Sequence, residues 1–314
     1  MLNRRHIRIK VMQALYAFKG GESENLNVCD KFLNDSLNNM YDLYLSILSL
    51  IIEVHKKAED RQSKSQKKFL ATQEEKHPNQ KFVKNEVLVQ LSTNEALNSE
   101  LEHRKLNPWY LDFEYVDLIF KAITESDLYK AYMSTSVSTF KEDKDFVISI
   151  FEDIIAPNDK LYDYYEDKKL TWLDDIPVVN TSIMKLLKKV KASTTEQHFL
   201  PKLFKDEDDR EFGIDLLNKT ILNQGSFNSE IASKTKNWDS ERITQIDTIL
   251  MQMAICEFQK FPSIPVKVTI NEYLEIAKEY STPKSSNFIN GILDKIVKEY
   301  KAENKFNKVG RGLL

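Results

Sequence analysis

The sequence predicts an all-α protein, and three observations carry that prediction. Glycine is scarce, 7 among 314 residues with only 8 prolines, whereas sandwiches and doubly wound sheets need many turn residues. Apolar residues recur at three- and four-residue spacing in one segment after another. No segment shows sustained two-residue alternation closed by hairpin turn pairs. Hydrophobic residues at 41% and charged residues at 30% give a globular balance, with enough apolar surface for one large core or two ordinary ones.

Each element follows from its spacing. Ile7, Val11, Ala14, Leu15 and Phe18 make one stripe, and Gly20 with Gly21 stops that helix. Residues 33–54 read as a second, strongly apolar helix. Residues 55–81 hold eight Lys/Arg, four acids and Pro78, and read as a solvated helix extension followed by a mobile linker. Further helices are expected at 84–101, 112–134, 143–155, 158–170 and 177–191, with Pro108 and Pro157 at boundaries and Pro177 at a first helical position. Asp239 or Ser240 is placed to cap a helix through Ile243, Ile246, Ile249, Leu250, Met253 and Ala254. Pro262 and Pro265 break the chain. Thr269 and Glu272 have the spacing of a capping box for the next helix, which carries Tyr273, Leu274, Ala277 and Tyr280. Ser285 or Ser286 then starts the last helix, through Phe288, Ile289, Ile292, Leu293 and Ile296, and 304–314 reads as a loose tail.

A gapless shift of 66 residues lays apolar on apolar through three of these segments. It pairs Phe146 with Phe212, Ile148 with Ile214, Phe151 with Leu217, Ile155 with Ile221 and Leu161 with Phe227. Trp172 falls on Trp238, Ile183 on Ile249 and Leu187 on Met253. The agreement fits a structural repeat, and it also fits two amphipathic runs slid into register.

Several function classes are disfavoured. The longest apolar stretch, near 43–54, is too short to span a bilayer, and the N-terminus lacks an apolar signal core. Cys29 and Cys256 have no metal spacing and fit a reducing cytosol. There is no glycine-rich phosphate loop. His6, His55, His77, His103 and His198 are scattered, with no HExxH pair. The reading is a cytoplasmic protein that is not an enzyme, with no cofactor, metal or membrane partner.

Charge is distributed unevenly. Residues 1–19 hold Arg4, Arg5, Arg8, Lys10 and Lys19 and no acid, so against a net charge of −3 their +5 leaves −8 on the rest. Cations at a helix N-terminus oppose the macrodipole at roughly 0.3–1 kcal/mol each when partly exposed. Arg4, Arg5 and Arg8 therefore point to an anionic partner, and replacing them is expected to leave stability nearly unchanged. Arg5, Arg8, Met12 and Tyr16 share a helical face, a guanidinium-plus-ring arrangement that suits single-stranded RNA. A frayed basic terminus that merely aids solubility has the same composition.

Arg4-Arg5-His6-Ile7-Arg8 followed by Gln13-Ala14-Leu15-Tyr16 resembles the opening of the NusB family of transcription antitermination factors, RRRAR…QxLY. Ile264-Pro265-Val266-Lys267-Val268-Thr269-Ile270-Asn271-Glu272, then Glu275-Ile276-Ala277-Lys278, then Phe288-Ile289-Asn290-Gly291-Ile292-Leu293-Asp294-Lys295 is similar to the family's VPYKVxINExxELAK…FVNGVLDK. The resemblance covers roughly 1–20 and 205–300, about a third of the chain. It implies helical bundles of NusB type with a large helical insertion: 1–23 as the arginine-rich helix of the core, 24–204 as an insertion of unknown role, 205–300 as the C-terminal bundle and 301–314 as a flexible tail.

The resemblance also implies a partner, the ribosomal protein NusE, and joint binding of boxA-type RNA of ribosomal RNA operons within the RNA polymerase antitermination complex. Carried over by motif, Arg4, Arg5, His6 and Arg8 fall on the RNA-binding cluster, Tyr16 on its aromatic neighbour, Phe288 on an RNA-side aromatic and Asp247 on an acid facing NusE. His6 stands where the family has a third arginine, so charge there depends on pH. Lys284 stands where some members have an acidic loop residue. Phe288 and Tyr16 are equally readable as bundle packing, and Asn290-Gly291 as a close helix approach. Two other readings remain open: a helical interaction scaffold, and a stand-alone module related to the RNA-binding domains of RNA methyltransferases, for which a glycine-rich α/β domain is missing from this sequence.

Overall fold

The computed structural model describes residues 1–20, 25–70, 72–235 and 243–313. Among them the chain forms fifteen α-helices and no strand. They are α1 (Arg4–Gly20), α2 (Leu26–Gln66), α3 (Gln73–Lys76), α4 (Glu86–Ser92), α5 (Glu95–His103), α6 (Phe113–Glu125), α7 (Asp127–Tyr132), α8 (Phe140–Ile150), α9 (Asp159–Lys168) and α10 (Ile176–Lys189). There follow α11 (Glu207–Leu222), α12 (Gln224–Lys234), α13 (Gln245–Lys260), α14 (Val266–Tyr280) and α15 (Ser285–Ala302). No helix among the described residues is long and apolar enough to cross a membrane.

The chain divides into two compact units. One comprises Asn38–Leu203 together with Met1, and the other Leu2–Leu37 with Phe204–Leu314. The division passes through α2, so 26–37 count in the second unit, beyond the residue-23 boundary read from the sequence. In the first unit α2 continues to Gln66, and the stretch expected to begin a solvated extension starts inside the core. His55 is buried, with its ring nitrogens 2.7 Å from Ser92 Oγ and 2.8 Å from the Val83 carbonyl, and Ala58 is buried beside it. Two expected helices are broken by caps. Asn94 accepts from Leu97 N at 2.7 Å to start α5, and Ser126 accepts from Tyr129 N at 3.1 Å to start α7. Such residues compete for backbone donors and restart a helix where periodicity alone would run through.

The second unit packs α1 against α11, α13 and α14, with α12 and α15 also on α13. Gly213 of α11 permits the first of these contacts, since a Cβ there would stand 2.8 Å from Ile7 Cγ2 of α1. The terminal segment expected to be loose is docked on this unit. Lys308 Nζ donates to the carbonyls of Glu257 and Phe261 at 3.0 and 2.9 Å, at the end of α13, and Phe306 stands edge-on to Phe258 and Tyr300. A cation at the last carbonyls of a helix complements its negative end, here beside the weaker 3.3 Å backbone bond from Phe261 N to the Glu257 carbonyl.

The 66-residue offset holds in the structure. Shifted by it, α8 with its single π-helical turn (Phe151–Ile155) lies on α11, α9 on α12 and α10 on α13, within a few residues at each end. The paired positions Phe146 and Phe212, Phe151 and Leu217, Leu161 and Phe227, Ile183 and Ile249, and Leu187 and Met253 are all buried. Trp238 lies outside the described residues, as do Asp239 and Ser240. The cap of α13 is Thr244, which accepts from Asp247 N at 3.0 Å.

Candidate nucleic-acid interface at the first helix

The start of α1 is fixed locally. Asn3 accepts from His6 N at 3.0 Å, and its own N–H points back to His6 Nδ1 at 3.5 Å, a reciprocal cap with histidine in the usual Glu position. The arginines that follow each meet a carboxylate brought from far along the chain. Arg4 Nε donates to Asp209 Oδ1 of α11 at 2.7 Å. Arg5 binds Glu272 of α14 through Nε and Nη2, both at 2.9 Å. Arg8 binds Glu257 of α13 through Nε at 2.6 Å and Nη2 at 2.9 Å. The Arg4 and Arg8 guanidiniums lie 4.9 and 5.1 Å from the centroid of the same ring, Phe212.

Burial separates these arginines. The Arg8 and Glu257 side chains are 3% and 0% exposed, and Thr269 Oγ1 and Tyr273 OH also donate to Glu257 at 3.0 and 2.8 Å. Burial alone would lower the Arg8 pKa, but attraction and hydrogen bonding from Glu257, with smaller contributions from Tyr273 and Glu272, raise it overall. Arg4 is 39% exposed and reaches Asp209 through its Nε–H, one of the five donors of a guanidinium. Arg5 is similarly exposed. Its hydrogen bonds hold the Glu272 carboxyl below the usual carboxylate range, against the effect of burial and with help from the charge of Arg8.

This geometry corrects two expectations. From the sequence, arginines at a helix start need an external anion. The anions are internal, and for Arg8 the pairing is complete and buried, which removes it from any RNA-facing surface. Thr269 and Glu272 form no capping box, because α14 begins at Val266 and both side chains are drawn into the arginine cluster.

The other predicted residues lie apart from this cluster. Tyr16, three turns further along α1, is 49% exposed. Lys284 is exposed at the start of α15 and Phe288 is half-buried one turn in. Asp247, expected to face a protein partner, is buried. It accepts from Ser281 Oγ at 2.7 Å and Ser285 Oγ at 2.9 Å, tying α13 to the loop before α15. A carboxylate spent on two internal hydroxyls has little left to offer a surface. Gly291, expected at a close helix approach, is exposed, and a Cβ there would meet nothing within 4 Å.

Glu257 is absent from the residues singled out by sequence, although its signal is there. It is the lone charge in the run Met251–Phe258 (MQMAICEF), and an acid on an otherwise apolar helix needs a buried cation. Both thiols are free and buried; burial, with Asp30 nearby, pushes Cys29 up to about 11, and burial pushes Cys256 up to about 12. No three His, Cys, Asp or Glu side chains among the described residues stand together as metal ligands would.

The model of the NusB family matches residues 179–298, which run from α10 into α15 and do not include α1. The transcription antitermination protein NusB of Salinibacter ruber is 39% identical over 119 residues, 37% of this chain and 74% of that protein. The protein of the same name from Koribacter versatilis is 38% identical over 100 residues, 32% of this chain and 68% of its own. The one from Chloroherpeton thalassium is 38% identical over 129 residues, 41% of this chain and 61% of its own. No solved structure matches. With that identity extending over more than two thirds of two of these relatives, an all-helical fold and the C-terminal motif in place, this chain belongs to the NusB family.

Proposed function

We propose that the chain is a non-enzymatic, RNA-binding transcription antitermination factor that acts in the cytoplasm. We further propose that it works with the ribosomal protein NusE on single-stranded, boxA-type RNA of ribosomal RNA operons, within the RNA polymerase antitermination complex. The observation that carries this reading is the 38–39% identity to relatives that are named transcription antitermination proteins. On the chain itself, Arg4 and Arg5 offer partly exposed guanidiniums, and Tyr16 offers an exposed ring at the far end of the same helix. His6, Lys284 and Phe288 complete the proposed RNA surface. Arg8 holds α1 in place beneath it. Asp247 shapes the Ser281–Ser285 turn, and any effect it has on a protein partner runs through that turn.

The test is fluorescence anisotropy of a labelled boxA-type RNA with the full chain, alone and with purified NusE. The expected results are binding that tightens when NusE is added, and weakens when Arg4 and Arg5 are both changed to Gln. For a single strand, each phosphate that the protein no longer neutralises lowers the slope of log affinity against log salt by about 0.7. Tyr16→Ala should cost about 1–3 kcal/mol of binding at unchanged slope, because stacking releases no counterions. A chain that binds neither this RNA nor NusE would overturn the reading.

A further inference from the structure

The second half of α10 and the residues just after it carry a group of cations that no described residue pairs with an acid. Lys185, Lys188, Lys189 and Lys191 are all exposed, and none forms an ion pair with a described residue. Between Pro177 and Thr195 there are 19 residues with no acid. The first acid beyond them, Glu196, makes no ion pair with these lysines. Other surface lysines of this unit sit beside acids, as Lys121 does with Glu125, Lys130 with Asp127 and Lys141 with Asp145, and those without one, such as Lys84 and Lys160, stand singly and not as a group. The helix dipole favours cations in a last turn, which accounts for Lys188 and Lys189. It does not account for Lys185 a turn earlier, nor for the missing acids.

The internal repeat explains how such a face arises. Under the 66-residue offset, Lys185, Lys188 and Lys189 correspond to Met251, Ala254 and Ile255 of α13, all fully buried, and Lys191 corresponds to Glu257. In the second unit α13 is surrounded by α1, α11, α12, α14 and α15. The first unit has no counterpart of α14 and α15 after α10, since α11 of the second unit follows directly in the chain. The face that is core in one unit is therefore open in the other, and there it carries lysines instead of apolar side chains. Its position is held. Gln90 Nε2 of α4 donates to the carbonyls of Lys191 and Ala192 at 3.3 and 3.2 Å, and His198 Nε2 lies 3.1 Å from the Leu186 carbonyl.

We propose that this lysine face of α10 binds the phosphodiester backbone of single-stranded RNA, as a second RNA-contacting surface on the unit that does not contain α1. The inference rests on the proposed RNA-binding function and deepens it. Lysines spaced i, i+3 and i+4 present point charges along one helix side, which suits sequence-independent backbone contact more than base readout.

The test uses the full chain and a fluorescein-labelled single-stranded RNA, titrated at several salt concentrations. The variant is Lys185→Gln, Lys188→Gln, Lys189→Gln and Lys191→Gln combined, which keeps helix-forming residues throughout. The comparison protein has Gln at Lys121, Lys130, Lys141 and Lys219, which are ion-paired. Leaving four phosphates without their lysines lowers the salt slope by roughly 2–3, so a fourfold rise in salt weakens the unaltered chain about 15- to 60-fold more than the variant. An unchanged circular dichroism spectrum shows that the variant is folded. If the unaltered chain does not bind RNA, the functional reading itself falls, and this inference with it. If it binds and the α10 variant binds with equal affinity and slope, this inference alone is overturned, and an acidic protein becomes the occupant to seek. An equal loss from both quadruple variants would also overturn it, as an effect of net charge.

Discussion

The molecule holds two basic clusters, and they differ in what neutralises them. At the start of α1 three arginines stand within five residues, and each meets a carboxylate from α11, α13 or α14. Along the end of α10 four lysines stand within seven residues and meet none among the described residues. Composition alone ranks the first as the binding surface, whereas available charge points at least as strongly to the second. Positive charge in a sequence becomes free charge only after the carboxylates that fold against it are subtracted. For Arg8 that subtraction is complete.

The sharpest way to break this comparison is to remove Arg8. Taking one partner from a buried ion pair leaves the other charged and unmatched, at about 3–5 kcal/mol. Arg8→Met should therefore lower the denaturant midpoint by a larger margin than Gly213→Ala, Glu272→Gln or Lys185→Gln, contrary to the sequence expectation that this cluster is dispensable for stability. Combining it with Glu257→Leu should cost less than Arg8→Met alone, and the cost that remains reports the Thr269 and Tyr273 hydroxyls deprived of their acceptor. If Arg8→Met unfolds like the parent chain, the pair is not structural and the contrast with α10 fails.

Gly213→Ala comes next. Its Cβ would press on Ile7, whose β-branched side chain has little freedom to yield, so a loss of about 1–3 kcal/mol is expected from thermal or denaturant unfolding. An unchanged melting curve would mean that α1 can shift on α11 without cost, and that the arginines are not held as tightly as their distances suggest.

Glu272 supplies a smaller, pH-dependent contribution. Its folded pKa is depressed below 4.5, so the stabilisation is fully present above about pH 4.5 and is lost as pH falls through the lower folded value. Glu272→Gln should flatten part of the acid limb of a plot of melting temperature against pH while leaving Arg8 paired to Glu257. An acid limb of the same steepness in both proteins would assign that limb to other carboxylates.

The smallest effect is expected at α10. Lys185→Gln touches no ion pair and should change stability by no more than about 0.5 kcal/mol. A larger loss would show a contact that makes this face structural after all.

The fold was legible in the sequence because scarce glycine and three- to four-residue spacing are properties of the chain as a whole. The breaks within it were less so. Asn94 and Ser126 interrupt helices by capping, and a capping residue looks like any polar residue until its backbone partner is in place. At the candidate site the helix dipole does call for anions near Arg4, Arg5 and Arg8. Nothing in the spacing shows that Asp209, Glu257 and Glu272, more than two hundred residues away, supply them. Asp247 was legible as an acid in a family position, but only packing shows it turned inward to Ser281 and Ser285.

The discontinuity of the second unit has a consequence in time. α1 leaves the ribosome well ahead of its partner helices, and the carboxylate that neutralises Arg8 lies 249 residues later. At roughly 5–20 residues per second, α1 waits about 12–50 s for that partner. Through that interval its apolar stripe and its arginines are synthesised but unmatched, while all of Asn38–Leu203 emerges in one uninterrupted run and has its own core to form. The order of synthesis thus favours completion of the intervening unit before the unit built from the segments on either side of it, and leaves α1 unmatched until α13 arrives.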